Sequence, residues 1–126
     1  MARILIIDDD DALRSVLAKS LRHAGHEVVE ATEGRQGMDL FRVTTLDLVV
    51  TDLIMPVQEG IETIVSLRRE QPDLPIIAMS GGASNSKLYL DIAGKIGANR
   101  ILAKPFRPAE LLQAITDALE RRSPGT

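Results

Sequence analysis

Ile4-Leu5-Ile6-Ile7-Asp8-Asp9-Asp10-Asp11 and Leu48-Val49-Val50-Thr51-Asp52 are the stretches on which the fold turns. Each is a short, unbroken apolar run that stops abruptly at a carboxylate. A run of this length that is hydrophobic at every position is the pattern of a strand covered on both faces of a parallel sheet, so the acidic residues fall at strand C-termini. In an open α/β sheet, that edge is where ligands bind. Two carboxylates about 4 Å apart repel by roughly 4 kcal/mol at an effective dielectric near 20, so a site that gathers several of them calls for a cation or a proton. The cation predicted for this donor set is magnesium.

Working outward, apolar runs alternate with amphipathic stretches five times. The spacing predicts strands near Arg3-Ile7, Val28-Ala31, Leu48-Thr51, Ile76-Met79 and Ile101-Ala103, and helices near Ala12-Ala24, Gly34-Val43, Ile61-Glu70, Ser86-Ile96 and Pro108-Arg121. The first helix has Asp10 or Asp11 as N-cap, a stripe at Leu13, Leu17 and Leu21, and Gly25 placed for a left-handed cap. The last has Pro108 in its first turn and Leu111, Leu112, Ile115 and Leu119 on its apolar face. Short connections and right-handed crossovers make this an α/β protein, a (βα)5 doubly wound parallel sheet of flavodoxin-like order 2-1-3-4-5. In that order strands one and three are neighbours, so Asp8, Asp9 and Asp52 converge at the switch point.

Composition narrows the function classes. A length of 126 residues with 44% hydrophobic content fits one domain over residues 1–122, and 123–126 (Ser-Pro-Gly-Thr) reads as a tail or linker, the end of a single-domain protein or the front of a longer one. The net charge of -3 and the absence of a basic cluster beyond Arg68-Arg69 and Arg121-Arg122 argue against direct nucleic-acid binding. There is no cysteine, hence no disulfide framework or thiolate metal site. The opening apolar run is too short for a signal-peptide core, and nowhere are there about 18 consecutive apolar residues, so a cytoplasmic protein with no membrane partner is expected.

Three more features belong to the same sheet edge. Strand four delivers Ser80, followed by Gly81-Gly82, whose small size leaves room for a ligand oxygen. Strand five ends in Lys104-Pro105, bringing an ammonium to the gathered carboxylates. Pro56, four residues after Asp52, fixes a turn able to aim a backbone carbonyl at the cation. Taken singly, these features carry little: Asp10 and Asp11 read as helix cap and solvated loop, a lone Asp after a buried strand such as Asp52 as a turn residue and Lys104 as a solvated strand end, while Ser80 alone is nearly uninformative. His23 and His26 lie at the far end of the first helix and read as surface or cap residues; Met38, Met55 and Met79 read as space-filling.

Together, Asp8-Asp9, Asp52 with Met55-Pro56, Ser80 and Lys104-Pro105-Phe106 resemble the receiver domain of response regulators from bacterial two-component systems, of the single-domain chemotaxis type. The resemblance covers about residues 3 to 121. It implies that Asp52 accepts a phosphoryl group from a sensor histidine kinase or a histidine phosphotransfer protein. It implies that Asp9 and Asp52 ligate Mg2+ directly, that Ile54 adds a carbonyl and that Asp8 holds the metal through water. It further implies that Ser80 and Lys104 grip the phosphoryl oxygens, that Lys104-Pro105 is cis, and that an output protein reads the result through a protein-protein contact. Such a domain is a regulatory phosphoacceptor that assists its own phosphorylation and dephosphorylation, not an enzyme with a separate substrate.

One position departs from the pattern. Many receivers carry an aromatic residue or histidine three positions before the lysine as a switch partner of the serine; here it is Ile101, and the chain has two Phe and one Tyr in all. A degenerate receiver serving as a constitutive protein-binding module is therefore the rival reading. A haloacid-dehalogenase-type phosphatase wants an acid/base aspartate where Ile54 stands, and a dinucleotide-binding module wants G-x-G-x-x-G where Asp8-Asp9-Asp10 stands.

Overall fold

The computed structural model describes residues 2–53, 57–81, 91–92 and 94–122. Its strands are β1 (Arg3–Ile7), β2 (Glu27–Ala31), β3 (Leu48–Asp52), β4 (Ile76–Gly81) and β5 (Arg100–Lys104). They pair in parallel in the order β2-β1-β3-β4-β5, which is the expected doubly wound order. The helices are α1 (Asp11–His23), α2 (Gly34–Val43), α3 (Val57–Glu70) and a C-terminal helix, Pro108–Arg122. Residues 91–92 and 94–96 are also helical, inside the predicted fourth helix, whose earlier residues lie outside the described ones.

The uninterrupted hydrophobic runs have a direct structural reason. Along β1, Ile4 and Ile6 point into one core with Leu17, Leu21, Leu111 and Ile115, beneath α1 and the C-terminal helix. Leu5 and Ile7 point into a second core with Met38, Ile64 and Leu67, beneath α2 and α3. Successive side chains of a strand alternate faces, so a sheet covered on both sides needs an apolar residue at every position. All four of these β1 side chains are completely buried.

Helix ends are set by local chemistry. The Asp10 carboxylate accepts a hydrogen bond from the Leu13 N–H at 3.0 Å, making it the N-cap of α1. At the other end Gly25 has φ +98, the left-handed region expected for it. The Gly25 N–H donates to the Arg22 carbonyl at 3.0 Å and the His26 N–H to the Leu21 carbonyl at 3.1 Å, the double closure that satisfies the last carbonyls of a helix. The C-terminal helix begins at Pro108, and the Glu110 carboxylate accepts from the Arg107 N–H at 3.0 Å. Among the described residues no helix is long and apolar enough to cross a membrane.

Several boundaries differ from the sequence-based expectation, and the differences matter at the site. Helix α3 starts at Val57 instead of Ile61, because Gly60 is a helical residue packed on the end of β3 and not a break. Strands β3, β4 and β5 run on to include Asp52, Ser80 and Lys104, which are therefore rungs of the parallel ladder: Asp52 opposite Met79, Ser80 opposite Ala103, Gly81 opposite Lys104.

Gly60 fixes how closely α3 approaches the end of β3. A Cβ there would lie 2.7 Å from the Leu53 Cα, 2.8 Å from the Leu53 carbonyl oxygen and 2.9 Å from the Asp52 carbonyl oxygen. These are backbone atoms that cannot rotate away. Gly60→Ala should therefore destabilise the protein by about 1–3 kcal/mol despite alanine's higher helix propensity. Urea denaturation measures this; an unchanged or raised midpoint would show that α3 does not rest on β3 as described.

Candidate functional site

The loop after β1 is held on three sides. The Asp8 N–H donates to the Ala31 carbonyl at 3.1 Å, continuing the β1–β2 ladder, and the Asp8 carboxylate accepts from the Asp10 N–H at 2.9 Å. The Asp8 carbonyl accepts from the Arg14 guanidinium at 2.7 Å. Asp8 is thus turned inward and wholly buried, while Asp9 is exposed at the mouth. Asp52, on the adjacent strand end, is only 3% exposed. Carboxylate oxygens of Asp8, Asp9 and Asp52 all lie within 4.8 Å of one another.

Lys104 reaches this group from β5. Its ammonium donates to Asp8 Oδ2 at 3.3 Å and to Asp52 Oδ2 at 3.1 Å, bridging two residues that are remote in sequence. Burial works against the lysine's charge, but the two carboxylates outweigh it and hold its pKa above the ordinary value. For Asp8 the balance runs the other way. Burial is the largest effect and the Asp52 charge adds to it, while the Asp10 N–H and the Lys104 ammonium only partly compensate, so the Asp8 carboxyl is pushed up to about 6.

Ser80 lies between β3 and β5 on the same edge and is completely buried. Its Oγ has no hydrogen-bond partner among the described residues. A buried hydroxyl left without a partner costs about 1–3 kcal/mol, and none of the described residues supplies one. The residues therefore fit a hard divalent cation with an oxygen-rich ligand. Among the described residues the clustered side-chain metal donors are the three carboxylates, their charge exceeds that of the Lys104 ammonium, and a hydroxyl and an ammonium stand ready for further oxygens.

Of the site residues expected from the sequence, Asp8, Asp9, Asp52, Ser80 and Lys104 are on this edge, whereas Ile101 lies opposite Ala78, three residues back along β5; Ile54, Met55, Pro56 and Gly82 lie outside the described residues. Lys104-Pro105 is a cis peptide. Ile101 is half-buried on β5, its Cδ1 3.2 Å from the point where a Cβ on Gly94 would sit. Asp10 caps α1 and Asp11 pairs with Arg14 at 2.8 Å, the plain structural roles expected of them. His26 Nδ1 accepts from the Ala2 N–H at 3.2 Å, far from the carboxylates. Along α1, Leu13 packs on the core, whereas Ala12 and Val16 face solvent, Val16 being 52% exposed. Arg14 was not legible as a site neighbour. The only signal was a basic residue three positions after Asp11, a spacing that favours an exposed helical ion pair and hides the reach to the Asp8 carbonyl.

The raised Asp8 carboxyl carries a stability consequence. Its pKa is higher in the folded protein than its ordinary 3.8, so the folded state holds the proton more tightly. Asp8 therefore favours folding most below pH 4, and that contribution is lost as pH rises toward about 6. In metal-free protein, Asp8→Asn should gain stability relative to wild type across this window, by on the order of 1–2 kcal/mol at neutral pH. Denaturation of both proteins at acid and neutral pH measures the difference; a difference independent of pH would contradict the assignment.

Known proteins are similar to this chain in sequence and in fold. Residues 4–116 match the family model described as the response regulator receiver domain. The response regulator MprA of Mycolicibacterium vanbaalenii is 39% identical over 122 residues, 97% of this chain and 52% of that protein. The transcriptional regulatory protein GlrR of Escherichia coli K12 is 33% identical over 125 residues, 99% of this chain and 28% of that protein. This chain thus spans about half the length of such curated relatives, or less. Among solved structures, a CheY-like receiver domain protein from Methanospirillum hungatei superposes with a TM-score of 0.91 at 27% identity, covering 100% of this chain and 99% of that one. The beryllofluoride-activated NtrC4 receiver domain dimer superposes with a TM-score of 0.86 at 28% identity, covering 98% and 100%. With a family model matched over most of its length and a fold and acidic edge in keeping with that match, the chain belongs to the response regulator receiver domain family.

Proposed function

We propose that Asp52 is the phosphoacceptor of a two-component phosphorelay, taking its phosphoryl group from a phosphohistidine of a sensor kinase or phosphotransfer protein. The observation that carries this reading is the Lys104 ammonium shared between the buried Asp8 and Asp52 carboxylates, on the same sheet edge as the buried Ser80 hydroxyl, which has no partner among the described residues. In the transfer, an Asp52 oxygen forms a bond to phosphorus as the bond from phosphorus to the donor imidazole nitrogen breaks, and that nitrogen keeps the electron pair. Lys104, released from Asp52, holds one phosphoryl oxygen, and the Ser80 hydroxyl donates to another. Asp9 and Asp52 would ligate Mg2+, with Asp8 acting through water and Ile54 through its carbonyl. Bound magnesium supplies positive charge that offsets the carboxylates and the incoming phosphoryl oxygens.

The reading extends to the whole chain as a regulatory phosphoacceptor acting in the cytoplasm, with residues 1–122 as the receiver and 123–126 as tail or linker. Ala12 and Val16 offer the phosphodonor an exposed apolar surface next to the acidic loop. The output is a change in protein-protein contact. The intact set of three carboxylates, serine and lysine favours this reading over a degenerate receiver, whose one supporting feature is Ile101.

Acetyl phosphate with Mg2+ should add one phosphoryl group to the wild-type protein, read by intact mass. Asp52→Asn should lose at least about 100-fold in labelling rate, since the nucleophile is gone. Full-stoichiometry labelling of Asp52→Asn would sink the assignment, and a wild-type protein that takes no label would favour the degenerate receiver.

A further inference from the structure

Arg14 lies outside the set of residues assigned above, yet its guanidinium holds a main-chain carbonyl of the acidic loop. Each of its three guanidinium nitrogens takes a different acceptor. Nη1 donates to the Asp8 carbonyl at 2.7 Å, Nε to Glu30 Oε1 at 3.2 Å, and Nη2 pairs with Asp11 Oδ1 at 2.8 Å. The side chain is only 13% exposed, in contrast to Asp11 at 81%. Glu30, on the edge strand β2, is itself fixed from the other side by Arg22 Nη2 at 3.2 Å, which also donates to the Val28 carbonyl at 3.2 Å.

We propose that Arg14, oriented by Glu30, is a positioning residue that holds the Asp8–Asp9 turn in the geometry that receives the divalent cation. The proposal rests on the reading of Asp8, Asp9 and Asp52 as the cation site. The Asp8 peptide group leads into Asp9, so the guanidinium that fixes the Asp8 carbonyl also fixes the direction in which the exposed Asp9 carboxylate leaves the chain. The guanidinium spreads its donors over three nitrogens and so reaches a main-chain carbonyl and two carboxylates that stand apart; a lysine ammonium gathers its three donors on one nitrogen and does not reproduce that span.

The sign of the effect separates this role from plain electrostatics. Arg14 is a cation close to a cation site, so removal of its charge alone would tighten magnesium binding. Loss of a positioning contact weakens it instead, and outer contacts to metal ligands are typically worth about 10–100-fold in affinity. Calorimetric titration with Mg2+ should show Arg14→Met binding about tenfold more weakly than wild type, with Arg14→Lys and Glu30→Gln between the two. Arg42→Met, which removes an exposed ion pair with Glu70 between α2 and α3 and touches neither Glu30 nor the loop, should bind like wild type. In the metal-free state, amide resonances of Asp8 to Asp10 should move in Arg14→Lys while those of β4 stay in place.

Wild-type or tighter affinity in Arg14→Met, or in Arg14→Lys and Glu30→Gln should Arg14→Met fail to fold, would overturn the proposal, whatever happens to thermal stability. Wild-type protein that binds no Mg2+ would instead remove the cation site on which the proposal rests.

Discussion

The Lys104 ammonium between Asp8 and Asp52 is the interaction on which the site depends. Two carboxylates buried side by side would be disfavoured by burial and by mutual repulsion, and the ammonium brings them to a tolerable charge at 3.3 and 3.1 Å. The sheet order makes the contact possible: β1 and β3 are neighbours, and β5 lies one strand beyond β4, near enough for a long side chain to cross over the edge. Compensation is incomplete. Asp8 remains pushed up to about 6 and the buried Ser80 hydroxyl has no partner among the described residues. Such a site is poised for an additional cation and anion in place of maximal stability, the kind of local inconsistency that marks function.

The fold was legible because burial on both sheet faces forces a simple pattern. Ile4 through Ile7 and Leu48 through Val50 are apolar at every position since each face packs on helices, and the alternation of such runs with amphipathic stretches leads to the observed order. The carboxylates were legible as the abrupt stop of each run. The exact reach of the strands was less so, because Ser80 and Lys104 are polar and stand just past the apolar runs, although the parallel ladder continues through them. The early start of α3 offers one apolar residue, Val57, before Ile61, too few to mark a helical stripe, and Gly60 serves as the small residue that lets the helix touch the Asp52 and Leu53 backbone.

Tertiary contacts that span distant residues left no trace in local pattern. Arg14 looked like an ordinary helical surface cation; its bonds to the Asp8 carbonyl and to Glu30 depend on how α1 is set against β2. The stripe of α1 faces the core as expected at Leu13, Leu17 and Leu21, whereas Val16 beside it is turned to solvent, which only the setting of the helix on the sheet decides. At Ile101 the fold places a half-buried aliphatic tip against Gly94, so the position is filled by packing even though its chemistry departs from the aromatic pattern.

The central claim is that one cluster of side chains both holds the cation and receives the phosphoryl group. A crystal structure with Mg2+ and beryllofluoride tests it most directly. The account predicts beryllium on an Asp52 oxygen, the cation on Asp9 and Asp52, and Lys104 Nζ and Ser80 Oγ each within about 3 Å of a fluorine, as charge-assisted hydrogen bonds require. Beryllofluoride on another carboxylate, or Lys104 still paired with Asp8 and Asp52 while the fluorines go unbound, would contradict it.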